Sequence, residues 1–452
     1  MTGFGRRAVP RAPITTRRSR PADVTADAGG GNLPRSVDAR RNPARMNVLQ
    51  RERHQPDWSI LVAVVALSSI GILMVYSSSA MRAYVQQDDT LAIVGPQILW
   101  AALGVGAMLV MMRVDYRVLR RVSLPAYLLG LVFLVLVFVP GLNKVVGGSA
   151  RWLAIGPLPA VHPAEIAKLG LIIYLAHWMA SRGTQIRGIR SGTMPFLLIT
   201  LPVVGLVFRE PDLGTASVIA ATAFMMFFVA GASLRQFLAM GAGAVVATLV
   251  VGLRDYQAER IRTFLDPWRD PLGTGFHTIQ GLFALGLGGV FGSGLGESKM
   301  AGGLYLPNAW NDFIFAIIGE EFGLVGAVVV VGLFIVLAYA GIRAALSAPD
   351  TFGALLATGI TAWLCIQAFI NIGVVVALLP VTGITLPFIS AGGSSLVISF
   401  AAVGILLSIS SETVQRTTQE THAPADRGRW NGRPHLPGTR RRGGPSSPSE
   451  HA

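Results

Sequence analysis

Charged side chains are scarce along this sequence and gather in short groups, so each group can be asked what chemistry its residue types and spacing support. The first is Arg151-Trp152 followed by His162-Pro163-Ala164-Glu165 and Lys168. Pro163 suits the first turn of a helix, which sets Glu165 and Lys168 on one face, where acid and base can pair. One reading is a structural ion pair at a helix start; the other is a functional site facing a wet cavity. Trp152 also suits an interfacial anchor. The second group, Arg209-Glu210-Pro211-Asp212-Leu213-Gly214-Thr215, crowds three ionisable groups into four residues. Asp212 there can cap a helix or line a polar cavity. The third group holds Glu259, Arg260, Arg262, Asp266 and Asp270, then a glycine-rich stretch from Gly281 to Gly303, and ends in Asn308-Ala309-Trp310-Asn311-Asp312. A carboxylate near arginines and apolar walls can have its acidity set for general-base work, which makes Asp312 a candidate base; capping the next helix is the alternative. Glu320 and Glu321 lie further into the same apolar run and need partners the sequence does not name. From Leu378 to Ser395, Pro380, Gly383, Pro387 and Gly392-Gly393-Ser394-Ser395 break an otherwise apolar run. Broken helices of this kind expose backbone groups to ligands or ions, and small residues also permit close helix packing.

The elements that must position these groups are apolar. Of 452 residues, 52% are hydrophobic and only 14% charged, with a mean hydropathy of +0.55. A soluble fold keeps about a quarter of its residues charged, so an ordinary cytosolic enzyme is excluded. The net charge of +14 is carried by arginine, since lysine occurs only at Lys144, Lys168 and Lys299. In a soluble protein such an excess would suggest nucleic acid; in a membrane protein it marks cytoplasmic loops facing anionic lipid. The single cysteine, Cys365, excludes an intramolecular disulfide and a multi-thiolate metal site. Windows of roughly 20 apolar residues predict about ten spans, near 59–80, 93–112, 122–142, 164–180, 193–209, 213–231, 236–253, 313–341, 353–379 and 394–410. Arg113, Arg117, Arg120, Arg121, Arg182, Arg187, Arg190, Arg235 and Arg343 then collect on one side with both tails, which places the termini in the cytoplasm. The expected fold is therefore an all-α polytopic membrane protein, with a membrane domain over 58–410 and a long extracellular loop, 254–311, between spans seven and eight. The tails at 1–57 and 411–452 are basic, rich in Pro, Gly and Ser, and read as disordered; Met46 is a second candidate start. No Walker loop, zinc-type spacing, internal repeat or nucleic-acid motif is found.

Taken in order, these groups resemble the SEDS family (shape, elongation, division and sporulation) of membrane glycosyltransferases. The motifs are Gly148 to Trp152, Pro163-Ala164-Glu165 with Lys168, Pro211 to Thr215, Asn311 to Ala316, Gly319-Glu320-Glu321, and Leu386 to Ser390 with Gly392 to Ser395. The likeness runs from about Trp58 to Ser410 and is greatest to the cell-division (FtsW-type) branch in its actinobacterial form. His162, Glu210, Trp310 and Ala391 stand where that family usually has Gln, Gln, His and Tyr. The resemblance implies polymerisation of lipid II into β-1,4 glycan strands at the outer face of the plasma membrane, at the division septum, with Asp312 as catalytic base. It further implies substrate binding by Arg151, Trp152, Glu165, Lys168, Asp212, Arg260, Arg262, Gln280, Ser394 and Ser395. No organic cofactor is expected; a divalent cation (Mg²⁺ or Mn²⁺) suits diphosphate chemistry, with Asp212 or Asp312 as its holder. The implied partners are lipid II, membrane lipid, a class B penicillin-binding protein and other division proteins, and no nucleic acid. The rival readings are a lipid II flippase, an elongation-type polymerase and a non-catalytic scaffold for the transpeptidase.

Overall fold

The structure is a computed structural model that describes residues 51–53, 55–146, 149–154, 160–251 and 255–414. Most of the two expected tails, and Gly148, lie outside these residues. Helices occupy all ten apolar windows. They are α1 (Trp58–Gln87), α2 (Val94–Arg113), the short α3 (Tyr116–Arg121), α4 (Ser123–Leu136), α5 (Pro163–Arg182), α6 (Met194–Arg209), α7 (Leu213–Val229) and α8 (Leu234–Val251). After α9 (Asp255–Leu265), α10 (Phe276–Gly288) and the single turn α11 (Lys299–Gly302) come α12 (Ile314–Ser347), α13 (Thr351–Val375) and α14 (Gly393–Ser410). Among the described residues, six helical runs are long and apolar enough to cross a membrane: α1, α2, Ile189–Arg209 around α6, α12, α13 and α14. The molecule is a helical, polytopic membrane protein.

Packing sorts the helices into an inner and an outer set. In the most apolar stretch of α14, 67% of residues are buried, and 61% in α13, against 22% in α12 and 28% in α2. Val62, Leu99, Leu129, Leu198 and Val328 stand exposed on the outer helices, a surface suited to lipid rather than water. Close approach is made by small residues. A β-carbon on Gly130 would meet Ala167 Cα at 2.7 Å, and one on Gly170 would meet Ala126 O at 2.6 Å, so α4 and α5 touch almost backbone to backbone.

Three features depart from the expected fold. First, the chain is not wholly helical: β2 (Asn143–Val146) and β3 (Ser149–Leu153) form an antiparallel hairpin that carries Arg151 and Trp152. Second, the tails are drawn in at their inner ends, where β1 (Arg51–Arg53) pairs with β4 (Glu412–Val414). Arg117 of α3 joins this end of the molecule together, reaching Glu412 at 2.5 Å and Asp350 at 3.3 Å. Third, α12 is broken at Gly323, whose φ of +65° lies in the left-handed region. The glycine-rich stretch fills that break: Ser293 and Gly294 donate their N–H groups to the carbonyls of Glu320 and Glu321, while Leu324 and Val325 donate to those of Gly289 and Val290. Glycine is needed on both sides, since a β-carbon on Gly292 would lie 2.1 Å from Glu321 O and one on Gly323 would lie 2.5 Å from Gly292 N. The glycine-rich chain thus has its backbone satisfied by protein.

Candidate active site

Pro163 starts α5, and the first turn carries Glu165, as its position in the sequence predicts. Glu165 Oε2 lies 2.9 Å from Lys168 Nζ. Lys168 is only 1% exposed; its ammonium also donates to Gln367 Oε1 at 2.8 Å and sits 4.5 Å above the Trp363 ring. Trp363 Nε1 donates to the same Gln367 oxygen, at 2.8 Å. The lysine is therefore held from three sides, which answers the ion-pair question in both senses: the pair is structural, and it also faces the cavity described below.

Asp212 caps α7, accepting from Thr215 N at 3.0 Å and Thr215 Oγ1 at 2.9 Å. Its other neighbour is His162, with Nε2 3.6 Å away. His162 in turn meets Trp152 edge-on at 5.3 Å, and its backbone N–H donates to Ser394 Oγ at 3.1 Å. Arg151 reaches from the hairpin to the turn before Asp212, donating to Pro211 O at 2.6 Å and Glu210 O at 3.3 Å.

Asp312 does not cap α12, whose first residue follows Phe313 without any side-chain cap. Instead the turn around Asp312 is fastened from outside. Asn371 Nδ2, on α13, donates to both Asp312 O and Ile384 O at 2.8 Å. Ser390 Oγ donates to Asn311 O at 2.6 Å, and Ala391 N donates to Trp310 O. α13 ends at Val375, short of the expected 379, because Ala377 turns left-handed and Pro380 cannot continue a helix. The irregular chain that follows lies against the Asp312 turn. Gly71 of α1 lets it approach: a β-carbon there would sit 2.5 Å from Phe388 O.

These elements enclose a cavity of about 360 Å³. It gathers Arg151 and Trp152 from the hairpin, Glu165 and Lys168 from α5, Asp212 from the α7 cap, Arg260 from α9, and Asp312 and Ser395. Arg260 is braced by donation to Val381 O at 2.7 Å. Three expected substrate ligands are placed otherwise. Arg262 is two residues from Arg260, hence on nearly the opposite side of α9, where it is 63% exposed and pairs with Glu259 at 3.6 Å. Gln280 lies on α10 outside the cavity lining, and Ser394 stands behind the wall, holding the His162 backbone. The sequence reading passed over Gln367 and Asn371, one turn apart in an apolar helix; Gln367 lines the cavity, as do Asn308 and Asn311 of the Asp312 motif. Polar amides at four-residue spacing in a membrane helix were the available signal.

Burial pushes the Asp312 carboxyl up to about 6, against the pull of its own backbone N–H and of Arg260. Asp212 moves the opposite way: burial opposes its ionisation, but His162, Arg151 and the Thr215 N–H together hold it at about 2. Glu210, buried and close to Asp212, is pushed up to about 8 against Arg151. Two cavity carboxylates with acidities set apart are an arrangement that divides roles, one a fixed anion and the other able to exchange a proton near neutral pH. Glu320 and Glu321 also find the partners the sequence left unnamed. Glu320 accepts from Ser298 Oγ at 2.5 Å and Lys299 N at 2.7 Å, so it caps α11; Glu321 accepts from Ser77 Oγ of α1 at 2.5 Å. Both brace the glycine-rich stretch and lie outside the cavity lining. A larger groove of about 540 Å³ runs along α1 from Leu73 to Tyr84, but no carboxylate, ammonium or guanidinium lines it.

Fold and site together define a polytopic helical membrane protein with a deep ionisable cavity walled by broken helices. Residues 57–415 match the model of the FtsW/RodA/SpoVE family, described as cell cycle protein, and the chain belongs to that family. This bears out the SEDS resemblance. The chain is 42% identical to stage V sporulation protein E of Bacillus subtilis, over 79% of this chain and 98% of that one. It is 39% identical to the probable peptidoglycan glycosyltransferase FtsW of Mycobacterium tuberculosis, over 78% of this chain and 68% of that one. Among solved structures it is similar to a chain described under structural coordination of polymerization and crosslinking by a peptidoglycan synthase complex, with a TM-score of 0.65 and 32% identity over 78% of this chain and 97% of that one. The Thermus thermophilus rod shape determining protein RodA aligns with a TM-score of 0.58 and 29% identity, over 78% of this chain and 96% of that one.

Proposed function

We propose that this protein is a peptidoglycan glycosyltransferase that joins lipid II units into β-1,4 glycan strands in the cavity around Asp312. The carrying observation is Asp312 itself: a carboxyl pushed up to about 6 in a cavity that also holds Arg151 and Arg260. At neutral pH it is mostly ionised yet basic enough to take a proton, which is what activation of a sugar hydroxyl needs. The acceptor oxygen attacks the donor's anomeric carbon, its proton passes to Asp312, and the bond from that carbon to the diphosphate oxygen breaks. One displacement inverts the centre, so an α-linked donor yields a β-link without a glycosyl-enzyme intermediate; no water needs activation, unlike in glycoside hydrolysis. Arg151 and Arg260, oriented by backbone carbonyls, are the cations assigned to the leaving diphosphate. Lys168 is committed to Glu165 and Gln367, so its role is to shape the wall and its field. Arg262, exposed and turned away, is given no part.

A divalent cation fits this site. Mg²⁺ needs only one or two protein carboxylates when phosphate oxygens supply the rest, and Asp212 and Asp312 both line the cavity. Bound there it would neutralise charge on the diphosphate. We further assign the finer expectations to this reading: ten spans with both termini cytoplasmic, residues 254–311 outside the membrane, and action at the septum beside a class B penicillin-binding protein. Relatives named FtsW and a neighbour from a synthase complex support them. The test is reconstitution of the full chain with its transpeptidase in liposomes containing labelled lipid II. Glycan strands are the expected product; lipid II that crosses the bilayer with no strand formed would favour a flippase.

A further inference from the structure

A second, smaller cavity of about 260 Å³ lies between α9, α10 and Leu379–Val381, and the proposed mechanism makes no use of it. We propose that it is a carbohydrate subsite, which holds one neutral sugar ring of the glycan next to the reacting unit; this rests on the glycosyl-transfer reading. Its volume falls below the roughly 300–1,000 Å³ typical of drug-sized ligands and suits a single ring. The two cavities are adjacent because Arg260 lines both, and the Val381 carbonyl that braces it forms part of the second wall. His277, in the second cavity, stacks on Phe313 with ring centroids 6.0 Å apart, and Phe313 follows Asp312 directly in the chain.

The lining has the two kinds of surface a sugar ring requires. Thr263 and Thr278 are buried hydroxyls, and Thr263 Oγ1 donates to Thr274 Oγ1 at 3.0 Å, so fixed polar groups face the space. Phe264 and Leu379 supply apolar faces against which the C–H side of a ring can pack. The charges that reach it, Glu259 and Arg260, balance. A diphosphate calls for more than one guanidinium, and the first cavity offers it Arg151 and Arg260, whereas this one offers Arg260 alone, faced by Glu259. A neutral ring is therefore the occupant the chemistry selects, and a polymerase that carries a growing strand has such a ring beside every reacting one.

The experiment uses the full chain with its transpeptidase in nanodiscs, as wild type, Phe264→Ala and Thr278→Val, each checked by thermal melting. Binding of a lipid-free, peptide-free tetrasaccharide of β-1,4-linked amino sugars is read by saturation-transfer NMR, and strand length and KM for lipid II are read by gel and rate. The expected result is tetrasaccharide binding to wild type, weakened about tenfold in both variants, the scale of loss when a site's hydrogen-bonding or packing contact is removed. Strands from the variants should be shorter and KM higher, with melting unchanged. Variant strands of wild-type length with unchanged KM overturn the subsite alone. Competition by the stem pentapeptide, with none by the tetrasaccharide, assigns the cavity to peptide and also overturns it. Wild type that binds the tetrasaccharide but makes no strands overturns the glycosyl-transfer reading instead.

Discussion

Lys168 and Arg262 look alike in the sequence, each a cation three residues from a glutamate on a helix, yet one is buried under a tryptophan and the other stands in solvent. Spacing made the first pair legible, and the packing of α13 on α5 seals it. Removing Lys168 strands Glu165 in the interior, so Lys168→Ala should lower stability by about 3–5 kcal/mol, and the double variant Glu165→Gln with Lys168→Met should recover much of it, as read by thermal melts in detergent. The arginines divide similarly. Two residues apart on a helix they cannot share a face, and the sequence could not say which of them turns inward. Arg260→Ala should slow polymerisation roughly 10–100-fold, the scale of a lost charge-assisted hydrogen bond, whereas Arg262→Ala should change the rate less than about twofold. Asp312 sets the pH response. Its carboxyl is raised to about 6 by burial, so the base form is lost as pH falls through that value: activity should be flat near neutrality and decline about tenfold per unit below pH 6. Asp212, held at about 2, contributes no inflection in that range.

At the scale of elements, each of the ten apolar windows coincides with a helix, because one face or both of each must leave water, although the ends of α1, α4 and α12 differ from the windows by six or seven residues. What escaped was the chain between them. The hairpin 143–153 offers two strands of four and five residues, too short for a period to show. The break after α13 was signalled by proline and glycine and that at Gly323 was not; what the breaks achieve, the Ser390 hydroxyl and Ala391 N–H donated to the Asp312 turn and the Glu320 and Glu321 carbonyls turned to the glycine-rich stretch, depends on partners remote in sequence. Gly71 tests this. A β-carbon there meets Phe388 O at 2.5 Å and Ile389 Cα at 2.7 Å, so Gly71→Ala must push the broken segment away from α1. A loss of about 1–3 kcal/mol in stability is expected, the range for overpacking, together with reduced activity. Gly106→Ala on α2, where no atom lies within 4 Å, is the control and should melt at or above the wild-type temperature.

Across the whole molecule two groups of the scarce charges tie together segments remote in sequence. One is the cavity set, Glu165, Lys168, Asp212, Arg151, Arg260 and Asp312, supplied by segments more than 150 residues apart in sequence and assembled by α13 and the chain that follows it. The other binds the two ends of the membrane domain, through Arg117 with Glu412 and Asp350 and through Arg343 with Asp57. The arginine-rich composition made a membrane protein legible at once, and the order of motifs made the family legible; the joining of Asp312 to Asn371 and of Asn311 to Ser390 was not, since nothing in local spacing links them. The most direct test of glycosyl transfer at this cavity is the rate of lipid II polymerisation by Asp312→Asn, an isosteric change that keeps the turn but removes the base. In proteoliposomes with the transpeptidase partner, the rate should fall by about 10²–10⁴-fold while the melting temperature holds. Strands formed at more than about a tenth of the wild-type rate by a folded Asp312→Asn protein would contradict the assignment of Asp312 as the base.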